Sequence, residues 1–223
     1  MTQSRELELG RSQSEFLGKL GMENNGQYIG SLKKQAHRLF SSMISLTGTT
    51  DTEIGLENLV IAKRAFLFWN PKKPDERSLW ESTLTLTSDF FEDVTKAPVP
   101  VDLRVLHHLR QSPLAMDIYT WACYRQFLLK VKGQGMVKIP WGALMAQFGS
   151  SYGTKSVEVI TDEKELKKKE DQAVRNFRHK FMKRLSEVGI FYPELADGIE
   201  DTPRFLVMKS VKLHIPPQFK ATG

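Results

Sequence analysis

The sequence contains a single cysteine, Cys123, and no long run of apolar residues. One cysteine excludes an intrachain disulfide framework and a cysteine-based zinc cluster, and its apolar helical context predicts a buried structural thiol. The apolar runs, such as residues 65–69, are far shorter than the roughly 20 residues that span a bilayer. The first residues, Met-Thr-Gln-Ser-Arg-Glu, lack the apolar core of a secretion signal. We therefore expect a cytoplasmic protein that makes no contact with a membrane.

Catalytic motifs are equally scarce. The chain has no glycine-rich phosphate loop that ends in Gly-Lys-Ser or Gly-Lys-Thr. His107 and His108 are adjacent on a predicted helix, so they face different directions and are expected to be surface or half-buried residues. Tyr119 and Tyr124 lie on a helix without the His-hydrophobic-His pair of a strand-transfer nuclease, and we expect core and interface aromatics there. The sequence therefore predicts a protein that is not an enzyme and that holds no cofactor or metal ion.

The composition is that of a folded, basic protein. A hydrophobic content of 40% suffices for packed cores, and 223 residues allow one large domain or two of about 100 to 120 residues. The formal net charge of +6 and the pI near 9.3 favour attraction to polyanions. Which partner the chain binds depends on where the positive charge lies.

One succession of elements occurs twice along the chain, and its first copy begins near the N-terminus. The pattern predicts a strand, a short helix, a longer helix and a hairpin. Ser12 and Glu15 form a capping box for the short helix, and Gly21 is predicted to stop it. The predicted ranges are 5–9 for the strand, 12–20 and 29–43 for the helices, and 44–46 with 59–69 for the hairpin. The longer helix carries an apolar stripe of Ile29, Leu32, Ala36, Leu39, Phe40 and Met43.

The second copy repeats this order after a mixed charge run at residues 164–171, which is expected to be a solvated loop or a helix start. Gly189 is predicted to stop the longer helix, and Ile190 to start a strand. The predicted ranges are 137–140 for the first strand, 141–148 and about 171–188 for the helices, and 205–215 for the returning strand. We predict an α+β fold of two tandem winged helix-turn-helix domains.

The domain boundary is predicted at Pro98 to Pro100, because proline resists both helix and central strand. The predicted domains are residues 1–98 and 99–223. Residues 79–86 alternate like a strand, with Trp80, Leu84 and Leu86 on its buried face.

The two predicted domains differ in their leading helices. A helix at 103–109 precedes a long apolar helix at 114–129, which is the expected leading helix of the second domain. The first domain lacks an equivalent, so either it is abbreviated or the chain starts inside it. An exposed apolar groove is then expected, open to a partner or to another copy of the chain.

The second helix of each turn motif is the candidate DNA-binding element, since it enters the major groove in winged-helix proteins. Solvated helix faces usually mix charges of both signs, but the predicted outward faces of both helices contain no acid. Asn, Gln and Arg side chains match adenine and guanine edges, so these faces favour DNA binding. The predicted DNA-binding residues are Gln27, Tyr28, Ser31, Lys34, Gln35 and Arg38 in the first copy and Arg175, Asn176, Arg178, His179, Lys180, Lys183 and Arg184 in the second.

Several segments together resemble the plasmid-encoded RepA-type replication initiators. They are residues 5–17, 79–86, 98–104, 112–121 and 139–149. The resemblance implies an initiator without enzymatic activity that binds repeated sites, called iterons, at a plasmid origin through tandem winged helices. It also implies recruitment of the host initiator ATPase and the replicative helicase, and a homodimer through the N-terminal domain when the protein acts as a repressor. Members of the family carry more sequence, including a helix, before the segment that starts at Arg5.

The leading hypothesis is a plasmid replication initiator that binds double-stranded origin DNA. A winged-helix transcriptional repressor without initiation activity would show almost the same sequence pattern. A winged-helix protein-interaction module is the third alternative, and failure to bind DNA at low salt would favour it.

Overall fold

Helical and alternating segments follow one another along the chain, and they form the predicted α+β fold. The computed structural model describes residues 4–22, 25–49, 54–70, 72–96, 98–149 and 163–216. The chain divides into two compact units, Met1–Pro98 and Val99–Gly223. Among the helices that the structure describes, none is both long and apolar enough to cross a membrane.

Unit 1 combines a three-stranded antiparallel sheet with a separate two-stranded hairpin. The sheet has the strand order β1-β5-β4, and the hairpin pairs β2 with β3. The elements are β1 (Glu6–Gly10), α1 (Gln13–Lys19), α2 (Gly26–Phe40), β2 (Met43–Thr49), β3 (Ile54–Val60), β4 (Ala62–Phe66), β5 (Ser82–Leu86) and α3 (Ser88–Lys96).

The ends of α1 are fixed by the residues that the sequence predicted. The Ser12 hydroxyl accepts the Glu15 N–H at 3.1 Å, and the Glu15 carboxylate accepts the Arg11 N–H at 3.1 Å. At the other end Gly21 adopts a φ of 63°, a left-handed conformation that suits glycine, and ends the helix. The short helix therefore stops early enough for the chain to turn into α2.

The core of unit 1 lies between the sheet and the helices. Its buried members are Leu9, Ile61, Trp69, Leu84 and Leu86. The aromatic residues Phe90 and Phe91 of α3 pack against this core from a helix that follows the sheet in sequence. Helix α3 thus covers part of the core of unit 1.

Two strand predictions in unit 1 are wrong. The segment 59–69 does not form a single strand. The buried Ile61 separates β3, which belongs to the hairpin, from β4, which belongs to the sheet. The alternating segment at 79–86 becomes a strand only from Ser82, and Trp80 is 69% exposed. Ser82 is buried instead, and its hydroxyl accepts the Phe68 N–H at 3.0 Å. Alternation alone does not reveal such a polar residue in the core.

Unit 2 consists of helices around a second antiparallel sheet, with the strand order β6-β8-β7. Its elements are α4 (Leu103–Leu109), α5 (Pro113–Val131), β6 (Met136–Pro140), α6 (Trp141–Phe148), α7 (Glu163–Phe191), α8 (Pro193–Asp197), β7 (Ile199–Asp201) and β8 (Phe205–Lys209). In both sheets the strand that comes last along the chain lies between the other two.

Aromatic side chains form the centre of the unit 2 core. The Phe181 ring of α7 lies 5.8 Å from that of Trp141, 6.0 Å from that of Trp121 and 5.5 Å from that of Phe148. These edge contacts add about 0.5–1.5 kcal/mol each beyond the burial of apolar area. Phe181 thereby joins α5, α6 and α7.

The prediction that Gly189 stops the long helix is wrong. Helix α7 runs through it to Phe191, and residues 190–192 do not begin a strand. A Cβ atom on Gly189 would lie 2.9 Å from the Cβ of Ala196, so glycine here permits the close approach of α8. The glycine therefore serves the packing of two helices and not a helix end.

The segment after β8 is held against α5 by buried polar groups. The predicted returning strand at 205–215 ends at Lys209. Beyond it, the buried Gln126 amide donates to the Lys209 carbonyl and accepts the Val211 N–H, both at 2.9 Å. The Tyr192 hydroxyl donates to the Lys212 carbonyl at 2.6 Å. Side chains thus replace the strand pairing that was expected.

Candidate nucleic-acid interface

Helix α7 packs one face into unit 2 and exposes the opposite face. Phe177, Phe181, Leu185 and Val188 are buried, and at 3.6 residues per turn they form one stripe. Five of the predicted DNA-binding residues are exposed on the other side of the helix, namely Arg175, Asn176, His179, Lys180 and Lys183. This exposed face offers guanidinium, ammonium, imidazole and amide groups, which suit phosphates and base edges.

Gln172 belongs to this face, although the sequence analysis missed it. Its carbonyl oxygen accepts a hydrogen bond from Nη2 of Arg175 at 3.0 Å, and its amide donates to Oδ1 of Asn176 at 2.9 Å. The spacings of three and four residues that bring these side chains together are readable from the sequence. The two bonds orient Arg175 and Asn176 in the absence of DNA.

Arg178 is held inside unit 2 by two contacts. Its Nε donates to Oδ1 of Asp201 on β7 at 2.7 Å, and the guanidinium lies 5.8 Å from the centre of the Trp141 ring. Its side chain is 28% exposed. Arg184 is paired likewise, with the Glu187 carboxylate at 2.6 Å. The expectation that this helix face contains no acid contact is therefore wrong for these two arginines.

Trp141 connects the start of α6 to the turn between β7 and β8. Its backbone N–H donates to the Arg204 carbonyl at 3.2 Å, and its indole N–H donates to the Thr202 carbonyl at 2.9 Å. The Arg178 guanidinium covers the same ring. The backbone of the exposed Arg204 is thereby held beside the start of α6.

Helix α2 presents the corresponding surface of unit 1. Its predicted DNA-binding residues Lys34, Gln35 and Arg38 are exposed, and Ser31 is half-buried. The side chains of Gln27 and Tyr28 lie outside the described part of the chain. The first turn of the helix contains no acidic residue. An open groove follows the same surface and is lined by Ile29, Gly30, Lys33, Lys34, His37 and Arg38, so that Lys33 and His37, which the sequence analysis missed, join the predicted set.

The apolar stripe of α2 is narrower than predicted. Ala36 is buried, and Leu32 and Phe40 pack against the core of unit 1. Leu39 is 55% exposed, so its placement in the core was wrong. The helix is therefore held by fewer apolar contacts than α7.

The other side chains that could act in catalysis or bind a metal ion are buried in the core or make contacts with other residues. Cys123 is buried, as predicted, and burial raises the pKa of its thiol to about 11. The His108 ring stacks on Phe191 at 5.3 Å, and Nε2 of His107 lies 2.7 Å from Nη1 of Arg110. Within the described ranges, no group of three or more histidine, cysteine, aspartate or glutamate side chains could hold a metal ion.

Comparison with known proteins connects the chain to one family. The family model described as plasmid encoded RepA protein matches residues 2–142, well over half of the chain. The match includes the described elements of unit 1 together with α4, α5 and β6, whereas α7 lies beyond it. No curated protein and no solved structure matches the chain.

Proposed function

This chain belongs to the plasmid-encoded RepA protein family and is a plasmid replication protein, and we propose that it starts replication by binding repeated sites at the origin. In this proposal the two units are tandem winged helix-turn-helix domains, and α2 and α7 each enter a major groove of one site. The exposed cationic face of α7 is the observation that carries the proposal.

The order of elements supports the assignment of a winged helix to unit 2. A leading helix, a strand, a short helix, a long helix and a strand pair follow one another as α5, β6, α6, α7 and β7–β8. Unit 1 has the same sheet order, with the hairpin β2–β3 inserted before its second sheet strand. In such domains the helix before the strand pair enters the major groove, and its N-terminal residues reach base edges.

The exposed side chains of α7 then divide between base edges and phosphates. Arg175 is suited to the O6 and N7 acceptors of guanine, and Asn176 to the N6 and N7 positions of adenine. Lys180 and Lys183 are suited to phosphates, which fix the register of the protein on the duplex. Arg178, paired with Asp201 on β7, is proposed to position the helix, and Arg184 pairs with Glu187 within α7; neither is proposed to read bases.

Two binding units in one chain raise the affinity for a site that contains both half-sites. Once one helix is bound, the other encounters its groove at a high effective concentration. Copies bound at adjacent repeats would bend the DNA and favour opening at flexible, A·T-rich steps. The protein itself then needs no nucleotide hydrolysis, and we propose a role without catalysis.

Assembly with other proteins completes the proposal. Recruitment of a host initiator ATPase and the replicative helicase rests on the resemblance to RepA-type initiators. Homodimerisation through unit 1 is supported by the β2–β3 hairpin, where Met43 and Val60 are paired and are 58% and 43% exposed. Strand β2 contains no charged residue, so it lacks the edge charges that commonly prevent a strand from pairing with a second copy.

The proposal is tested by titrating the full chain against its own origin repeats and against the same DNA scrambled, at physiological salt. Preference for the repeats by about 10³-fold or more is the expected result. Arg175→Ala should reduce discrimination at one base pair by about 1–3 kcal/mol. Lys180→Ala is the matched control, with a loss of affinity that is equal on both DNAs. Equal binding of both DNAs by the unaltered chain would refute sequence-specific recognition.

A further inference from the structure

The N-terminal part of helix α7 is exposed at the positions whose side chains the structure describes. The first buried residue among them is Phe177. Before it, Glu165 and all of residues 167–172 are exposed. Residues 165–172 correspond to about 12 Å of helix at a rise of 1.5 Å per residue. We call this segment the α7 arm.

One row of side chains on the arm continues the exposed face of α7. Lys168 and Arg175 are separated by seven residues, so their directions differ by only about 20° around the helix axis. Gln172 lies between them, and its hydrogen bonds to Arg175 and Asn176 show that it shares their direction. Lys168, Gln172 and Arg175 therefore lie on one side of the helix, and Asp171, about 40° from Arg175, lies on the same side.

The neighbouring lysine on the arm points elsewhere. Lys167 lies about 80° from Arg175, and at 3.6 residues per turn it is in line with the buried Leu185, five turns further along. Both lysines are exposed. The two residues therefore carry the same charge in adjacent positions and differ in direction.

We propose that the α7 arm is a phosphate-binding extension, in which Lys168 contacts the DNA backbone beside the groove that the rest of α7 occupies. This inference rests on the proposed function, since it needs α7 to lie in the groove. The length of the arm corresponds to about three to four base pairs at 3.4 Å each. It enlarges the contact of unit 2 with DNA on one side only.

The chemistry of the arm favours nucleic acid over a protein partner. The exposed side chains described on it are three lysines at 167–169, the acids Glu165, Glu170 and Asp171, and Gln172, and Lys169 pairs with Glu165 at 3.9 Å. Protein interfaces are centred on apolar and aromatic side chains, and none of these seven described side chains is apolar.

The test compares Lys168→Ala with Lys167→Ala in the full chain. Affinity for a mixed-sequence duplex of about 30 base pairs, or three helical turns, is measured over a series of salt concentrations. Each phosphate contact contributes about 0.9 to the slope of log K against log salt. Lys168→Ala should lower the slope by about that amount, Lys167→Ala should leave it unchanged, and Lys168→Arg should restore it.

The remaining outcomes are decisive as well. Equal losses for the two alanine variants would refute an oriented contact and indicate general attraction by charge. If neither alanine variant lowers the slope while Lys180→Ala still does, the phosphate contact of the arm is refuted and the proposed function stands. Absence of DNA binding by the unaltered chain at low salt would instead refute the proposed function.

Discussion

The ion pair between Arg178 and Asp201 should be worth about 1 kcal/mol to the stability of unit 2. Exposed ion pairs contribute about 0–1 kcal/mol, and hydrogen bonds to charged groups contribute about 1.5–3. This pair lies between those cases, because its side chains are 28% and 32% exposed and the N–O distance is 2.7 Å. A double-mutant cycle of Arg178→Ala, Asp201→Ala and the double variant isolates the coupling.

The two single variants should not be equal. Arg178→Ala also removes the contact with the Trp141 ring, which is worth about 0.5–1 kcal/mol at a partly exposed site. Its cost should therefore be about 1.5–2 kcal/mol, against about 1 for Asp201→Ala. The measurement is urea unfolding of the full chain at neutral pH, followed by far-ultraviolet circular dichroism.

A second arginine pair on the same helix supplies the control. Arg184 and Glu187 are just as close, at 2.6 Å, but they lie within α7 and join no second element. Pairs at this spacing contribute about 0.2–0.5 kcal/mol. If the Arg178–Asp201 coupling is no larger than that of the control, the pair does not hold β7 against α7. Equal costs for the two single variants would refute the role of the aromatic contact.

Three further predictions concern single positions. Gly189→Ala should destabilise unit 2 by about 1–3 kcal/mol, because the new methyl group would overpack against Ala196. Gly142→Ala, at an exposed helix position with open space around it, should instead stabilise the unit by up to about 1 kcal/mol. Thermal denaturation compares the two variants, and equal effects would contradict the packing argument. Cys123, with its thiol pKa raised to about 11 by burial, should react with a thiol reagent at neutral pH only as fast as the chain unfolds, and immediate labelling of the folded protein would disprove its burial. The hydrogen bonds from Arg104 lower the pKa of Asp102 from 3.8 to about 2. The ionised carboxylate therefore stabilises the fold above pH 4, and this contribution disappears as the pH falls toward 2. Acid titration of Asp102→Asn should lack that loss of stability, and an acid transition identical to that of the unaltered chain would contradict the prediction.

Local signals predicted the helices more accurately than the strands. Helices α4 and α6 have the predicted bounds, and Ser12 and Gly21 fix α1 as expected. Gly189 misled because a glycine that allows a close helix contact has the same sequence appearance as one that ends a helix. Whether Ile61 divides a strand depends on which sheet each half joins, and that is decided by distant residues.

The sequence predicted which face of α7 is exposed, but it did not predict which side chains contact one another there. Periodicity located Arg175 and His179 on the outer side of α7, where they lie. The acid that engages Arg178 comes from Asp201, 23 residues along the chain. A helix pattern contains only the residues of its own helix, so it gives no information about that partner.

Trp141 links three parts of unit 2: α6, α7 and the turn between β7 and β8. One side chain and its own backbone N–H hold the turn between β7 and β8, while an arginine from α7 covers the ring. If α7 binds DNA as proposed, these contacts resist deformation of unit 2, and the bending is then expected of the DNA. Bending a site by 40–90° costs about 1–6 kcal/mol and costs least at TA and CA steps. The protein would then favour origins with such steps beside its site, including positions that no side chain touches.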